Sequence, residues 1–173
     1  MAALTFSASS LTPFLYCLQN LPQFAILDGM KNYKTVEWQI KPNTVAGRVI
    51  IRNNNLENHE KETIYHLASF GYDIEVLAPS NMPGTNNPDL LMMGTFWEMK
   101  APEKNNIVTL ETKFRKAVKQ SGGKAIFDLR FVENGASEVE KNILALFEKT
   151  RGMRRVIIIK KEKKTTRTID IMK

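Results

Sequence analysis

Between Pro88 and Lys100 the chain spaces an aspartate, a glutamate and a lysine so that all three can meet on one side of a β-hairpin. Residues 90–93 are apolar, Gly94-Thr95 can form a tight turn, and residues 96–99 are rich in strand formers. With Gly94-Thr95 as a two-residue loop, Met93 faces Phe96, Leu91 faces Glu98 and Asp89 faces Lys100. Opposed residues share a face and diagonal neighbours lie roughly 7–8 Å apart, so Asp89 and Glu98, as diagonal neighbours, can bridge one divalent cation. Lys100, two positions beyond Glu98, points the same way. Two carboxylates and an ammonium gathered at one point are costly in a purely structural hairpin unless they are partnered.

The chemistry open to such a trio is cation-assisted attack on a phosphodiester. Hard cations such as Mg²⁺ take oxygen ligands and often use only one or two protein carboxylates beside phosphate and water. The cation lowers the pKa of water and shields charge developing at phosphorus, and Lys100 is suited to orient the water or to stabilise the added negative charge. The alternative is a surface hairpin with an ordinary Asp–Lys pair, worth under about 1 kcal/mol.

These residues need elements to hold them. Asn53-Asn54-Asn55 offers N-cap residues for a helix in which Leu56, Glu60, Ile64, Leu67 and Gly71 share one face. Glu60 then lies on the apolar stripe and calls for a partner, while Glu62 falls on the other side; the competing reading is a glutamate favoured only by the helix dipole. After the hairpin, Ile107, Leu110, Phe114, Ala117, Val118 and Ser121 form the buried side of a second helix, decorated by Lys113, Arg115, Lys116, Lys119 and Gln120 and closed by Gly122-Gly123. Strands are expected over 46–52, 73–78, 124–130, 155–160 and 165–172, and a third helix over 138–149. The alternation predicts an α/β fold, a mixed sheet flanked by helices. Residues 1–45 read as an N-terminal extension or packing segment, residues 46–173 as the domain that holds the site.

Pro88-Asp89 followed by Glu98-x-Lys100, with a preceding helix that carries a core-facing glutamate, resembles the core motif of the PD-(D/E)xK nuclease superfamily. The expected α-β-β-β-α-β order is that superfamily's restriction-endonuclease-like core. Within it, residues 70–77, 87–91 and 97–102 resemble the C-terminal tRNA nuclease domains of contact-dependent growth-inhibition toxins, a likeness that runs from Leu56 to Ile159. The resemblance implies a metal-dependent endonuclease with Glu60, Asp89, Glu98 and Lys100 catalytic. Asp89, Glu98 and Glu60 would hold Mg²⁺ (or Mn²⁺ or Zn²⁺), with the Met99 carbonyl added, and Lys119 or Gln120 would approach the site. It implies RNA cleavage, often of tRNA, in the cytoplasm of a cell that receives the domain as part of a larger secreted protein, and a cognate immunity protein. Relatives in the wider superfamily cut DNA, so a DNA endonuclease or resolvase is the alternative; a non-catalytic nucleic-acid-binding module is the third reading.

Composition agrees with a folded polyanion-binding protein. The chain has 173 residues, 43% apolar and 25% charged, which fits one globular domain with a sizeable core. Its net charge of +7 arises in the last 23 residues, where nine basic and two acidic side chains stand against 16 of each in residues 1–150. That basic end, with Arg154 and Arg155, and the helix cations Arg115 and Lys119 with Gln120, are the candidate nucleic-acid contacts. Cys17 stands alone, which excludes an internal disulfide, and His59 and His66 have no metal-ligand spacing with it. The apolar stretch 4–26 is interrupted by Pro13 and Pro22 and lacks a basic start, so neither a membrane span nor a signal peptide is expected.

Overall fold

The computed structural model describes residues 33–53, 55–82 and 86–173; the apolar stretch 4–26 and Cys17 lie outside the described residues. The elements run β1 (Lys34–Glu37), β2 (Val49–Ile51), α1 (Asn58–Ala68), β3 (Ile74–Val76), β4 (Leu90–Met92), β5 (Thr95–Lys100), α2 (Ile107–Ser121), β6 (Lys124–Asp128), α3 (Ala136–Lys149), β7 (Arg155–Lys161) and β8 (Thr166–Met172). From α1 to β6 this is the expected α-β-β-β-α-β succession.

All eight strands form one mixed sheet in the order β1-β8-β7-β6-β5-β4-β3-β2. Strands β5, β6 and β7 are parallel neighbours, joined by α2 and α3, since a parallel pair needs a crossover long enough to return the chain. Strands β3, β4 and β5 form an antiparallel meander. The central strands are covered on both faces and therefore read as continuous apolar runs. In β7, Val156 and Ile158 pack with Phe114, Phe127 and Phe147 under α2 and α3, while Ile157 and Ile159 pack with Ile64, Leu67 and Trp97 under α1. The helices thus sit on opposite faces, α1 on one and α2 with α3 on the other.

Three local readings are corrected. The hairpin turns at Met93-Gly94, not Gly94-Thr95: Met92 pairs Thr95, Leu91 pairs Phe96 and Leu90 pairs Trp97. Both turn residues have positive φ, 54° and 67°, as a two-residue primed turn requires. α1 begins at Asn58, capped by Glu57, whose side chain and that of Glu60 exchange bonds with the opposite backbone N–H groups in a capping box. The asparagines at 53–55 therefore precede the cap. Finally, the described part of residues 1–45, read as an N-terminal extension or packing segment, contributes β1 to the domain's own sheet, paired with β8 from Lys34↔Met172 to Glu37↔Ile169, and the buried Trp38.

Candidate active site

Strand alternation places Trp97 and Met99 in the core under α1, so Glu98 and Lys100 project to the face shared with α2. The paired register ends at Leu90–Trp97, and just beyond it the Asp89 backbone N–H donates to the Trp97 carbonyl at 3.0 Å, which sets Asp89 beside Glu98 at the strand end. The Met99 N–H donates to Asp89 Oδ2 at 2.6 Å, which fixes the carboxylate across the strand gap. Lys100 Nζ lies 3.6 Å from Asp89 Oδ2 and also bonds Glu98 Oε1. The trio predicted from spacing therefore converges.

Its burial is uneven. The side chain of Glu98 is 2% exposed, against 19% for Lys100 and 35% for Asp89. Glu98 Oε2 is buried with no hydrogen-bond partner. Burial pushes the Glu98 carboxyl above the usual range, and the neighbouring Asp89 charge adds to this; the bond from Lys100 opposes both without cancelling them.

The trio forms the floor of a cleft of about 490 Å³ that is also lined by Asn53, Leu56, Glu60, the loop at 86–88 and, from α2, Lys116, Lys119 and Gln120. Gln120 Nε2 donates to the Asn87 carbonyl at 3.1 Å, while its Oε1 is buried without a partner. Asn87 in turn spans the loop, accepting from the Ser80 N–H and donating to the Ser80 carbonyl. Two unpartnered buried acceptor oxygens, Glu98 Oε2 and Gln120 Oε1, thus belong to residues of one cleft. An oxygen-rich pair of carboxylates with a spare acceptor fits a hard cation.

Glu60 lines the same cleft, but its Oε2 accepts the Glu57 N–H at 2.9 Å. It comes from the helix on the other face of the sheet, and no group of three or more Asp, Glu, His or Cys side chains converges as a metal site among the described residues. Glu62 is exposed.

The predicted nucleic-acid contacts divide. Lys119 and Gln120 reach the cleft. Arg115 points away on α2, is highly exposed and pairs with Glu111. Arg154 is exposed just before β7. Arg155 is spent structurally, held by Asp170 and stacked 5.2 Å over the Trp97 ring, on the sheet face opposite Glu98. The basic C-terminal run therefore does not gather at the trio. Lys116, which the sequence did not set apart from the other helix cations, also lines the cleft. Once Gln120 is taken to face the site, helical spacing puts Lys116 and Lys113 on the same side and Arg115 away from it. Burial, with the charges of Lys100 and Lys116 close by, lowers the Lys113 ammonium pKa.

Comparison with known proteins bears on this stretch. Residues 86–165 match the family model of the contact-dependent growth inhibition CdiA C-terminal domain. The matched stretch holds Asp89, Glu98, Lys100 and all of α2, and stops short of α1 and Glu60. The fold is similar to that of a chain in a CdiA-CT/CdiI toxin and immunity complex from Burkholderia pseudomallei, with a TM-score of 0.50 and 20% identity over 66% of this chain and 92% of that one. No curated protein matches the sequence.

Proposed function

We propose that this chain is a growth-inhibition toxin domain that cleaves phosphodiester bonds with the help of a divalent cation, and that its substrate is RNA, tRNA in particular. The observation that carries the reading is the Asp89 and Glu98 carboxylates gathered on Lys100, with one buried glutamate oxygen lacking a donor. The match of residues 86–165 to the CdiA C-terminal domain supports the toxin role.

Asp89 and Glu98 would hold the cation, Mg²⁺ or in its place Mn²⁺ or Zn²⁺. The cation supplies Lewis-acid stabilisation of phosphoryl charge and acidifies water. The chain's own residues do the rest. The Met99 N–H holds Asp89 in place, so little reorganisation is needed when charge develops. Lys100, released from part of its contact with Glu98, orients the attacking water and stabilises the added charge on phosphorus. Lys116 and Lys119 neutralise phosphate at the rim of the cleft. Glu60 is the third candidate carboxylate, on the far wall, and Glu60→Ala is expected to cost less activity than Asp89→Ala.

As a toxin domain it would act in the cytoplasm of the receiving cell, delivered as part of a larger secreted protein and blocked by a cognate immunity protein. Among the described residues no helix is long and apolar enough to cross a membrane. Expression in cells with and without Asp89→Ala, followed by RNA gels, checks the proposal. Growth arrest with tRNA fragments from the unaltered chain only is the expected result. Arrest with intact RNA and broken DNA would transfer the site to a DNA endonuclease, and arrest by both chains would remove it from the trio.

A further inference from the structure

The cleft continues beyond the trio. A second, shallower hollow shares Lys100 and Lys116 with it and is completed by Val108, Thr109, Thr112 and Lys113. The two hollows form one groove along α2 with Lys100 at the join. On a helix of 3.6 residues per turn, Thr109, Lys113, Lys116 and Gln120 fall within one narrow stripe, and 11 residues of rise make it about 16 Å long. Lys113, Lys116 and Lys119 form no ion pair among the described residues, although Arg115 on the outer side of the same helix pairs with Glu111. Other cations are neutralised within the fold, Arg130 by Asp128, Arg155 by Asp170, Lys160 by Glu140 and Arg167 by Glu37. Neither hollow is lined by an aromatic side chain, so the groove offers ammonium, hydroxyl and amide groups but no surface on which bases stack.

Resting on the nuclease reading of the trio, we propose that the α2 stripe of Thr109, Lys113 and Lys116 is a phosphate track. It grips the backbone of the substrate strand next to the scissile bond without reading its bases. Thr109 donates a hydroxyl hydrogen bond to a phosphate oxygen, while the Thr112 hydroxyl is held by the Val108 carbonyl, and the two lysines replace condensed counterions.

The test uses the full chain carrying Asp89→Ala, so that binding is read without cleavage. Affinity for a short oligo-uridylate and for an oligo-adenylate is measured across a salt series. The track predicts equal affinity for both within about threefold. It also predicts a log–log salt slope shallower by about 1 for Lys113→Ala, again for Lys116→Ala, and by about 2 for the pair. Lys141→Ala, on the exposed side of α3, leaves the slope unchanged. Unchanged slopes in the α2 variants, strong base preference, or no binding of either oligonucleotide would overturn the track. In the chain with Asp89 intact, the α2 variants are expected to raise KM with kcat retained. Shallower slopes in a chain that never cleaves would keep the track and reject the nuclease reading; unchanged slopes in a chain whose cleavage needs Asp89 would do the reverse.

Discussion

Glu98 is the residue on which the site turns. A carboxylate this buried, with one oxygen on Lys100 and the other on nothing, is destabilised as an anion. Its raised pKa expresses the same fact. Removing only the charge separates site from scaffold. Glu98→Gln is expected to reduce cleavage by at least about 100-fold, to leave the melting temperature in EDTA no lower than that of the unaltered chain, and to abolish the rise in melting temperature on adding Mg²⁺. A Gln variant that keeps the Mg²⁺-induced rise would show that the cation binds elsewhere. The trio was legible in the sequence although the turn was misplaced. Moving the loop from Gly94-Thr95 to Met93-Gly94 changes each partner by two residues, and a side-chain period of two leaves every residue on its original face. Asp89 accordingly stays with Glu98 on Lys100 although its strand partner differs from the expected one. Gly94 signalled a left-handed position but not which neighbour would share it, and a methionine at φ 54° has no sequence signature.

At the scale of elements, the strands at the far edge are tied by a polar cluster that plays no part in the cleft. Asp170, on β8, is 1% exposed and accepts from Arg155 on β7 and from the Trp38 indole N–H just after β1. Asp170→Ala would leave the half-buried Arg155 without its counter-charge and is expected to cost about 3 kcal/mol in urea unfolding, with cleavage per folded molecule unchanged. A fall in specific activity equal to that of Asp89→Ala would tie this cluster to catalysis. Strand β1 itself was not legible. Lys-Thr-Val-Glu carries no strong pattern, and its partner β8 lies more than 130 residues away, so only the finished sheet supplies the reason for it to be a strand. α2, in contrast, could be read almost whole, because a periodic apolar stripe and the left-handed Gly122 at its end are local signals.

Over the whole molecule, charge in the sequence and charge in space differ. The final 23 residues carry the net excess, but Arg155 and Arg167 are turned inward on acids, as is Lys160, and the cations at the trio come from α2. No linear count could show this, since pairing depends on which strands become neighbours. The same packing gives the fold a pH dependence. His66, half-buried between α1 and β8 and bonded to Thr168, has its pKa lowered from 6.5 to about 4, first by burial and then by Arg130. The unfolded chain therefore binds the extra proton first, so stability present above pH 6.5 is lost as pH falls toward 4. Glu98, raised above its usual value, acts in the opposite sense near the acid end of that window. The urea midpoint of the unaltered chain is expected to fall across this range, and more steeply than that of His66→Gln; equal slopes would contradict the assignment. The proposed cation-assisted phosphodiesterase site lies between Asp89, Glu98 and Lys100. It is tested most directly by incubating the purified chain and its Asp89→Ala, Glu98→Ala and Lys100→Ala variants with total tRNA and plasmid DNA, in Mg²⁺ or Mn²⁺ and in EDTA. tRNA cleavage is expected from the unaltered chain alone, and only with the cation present; cleavage retained by all three variants, or undiminished in EDTA, would rule the site out.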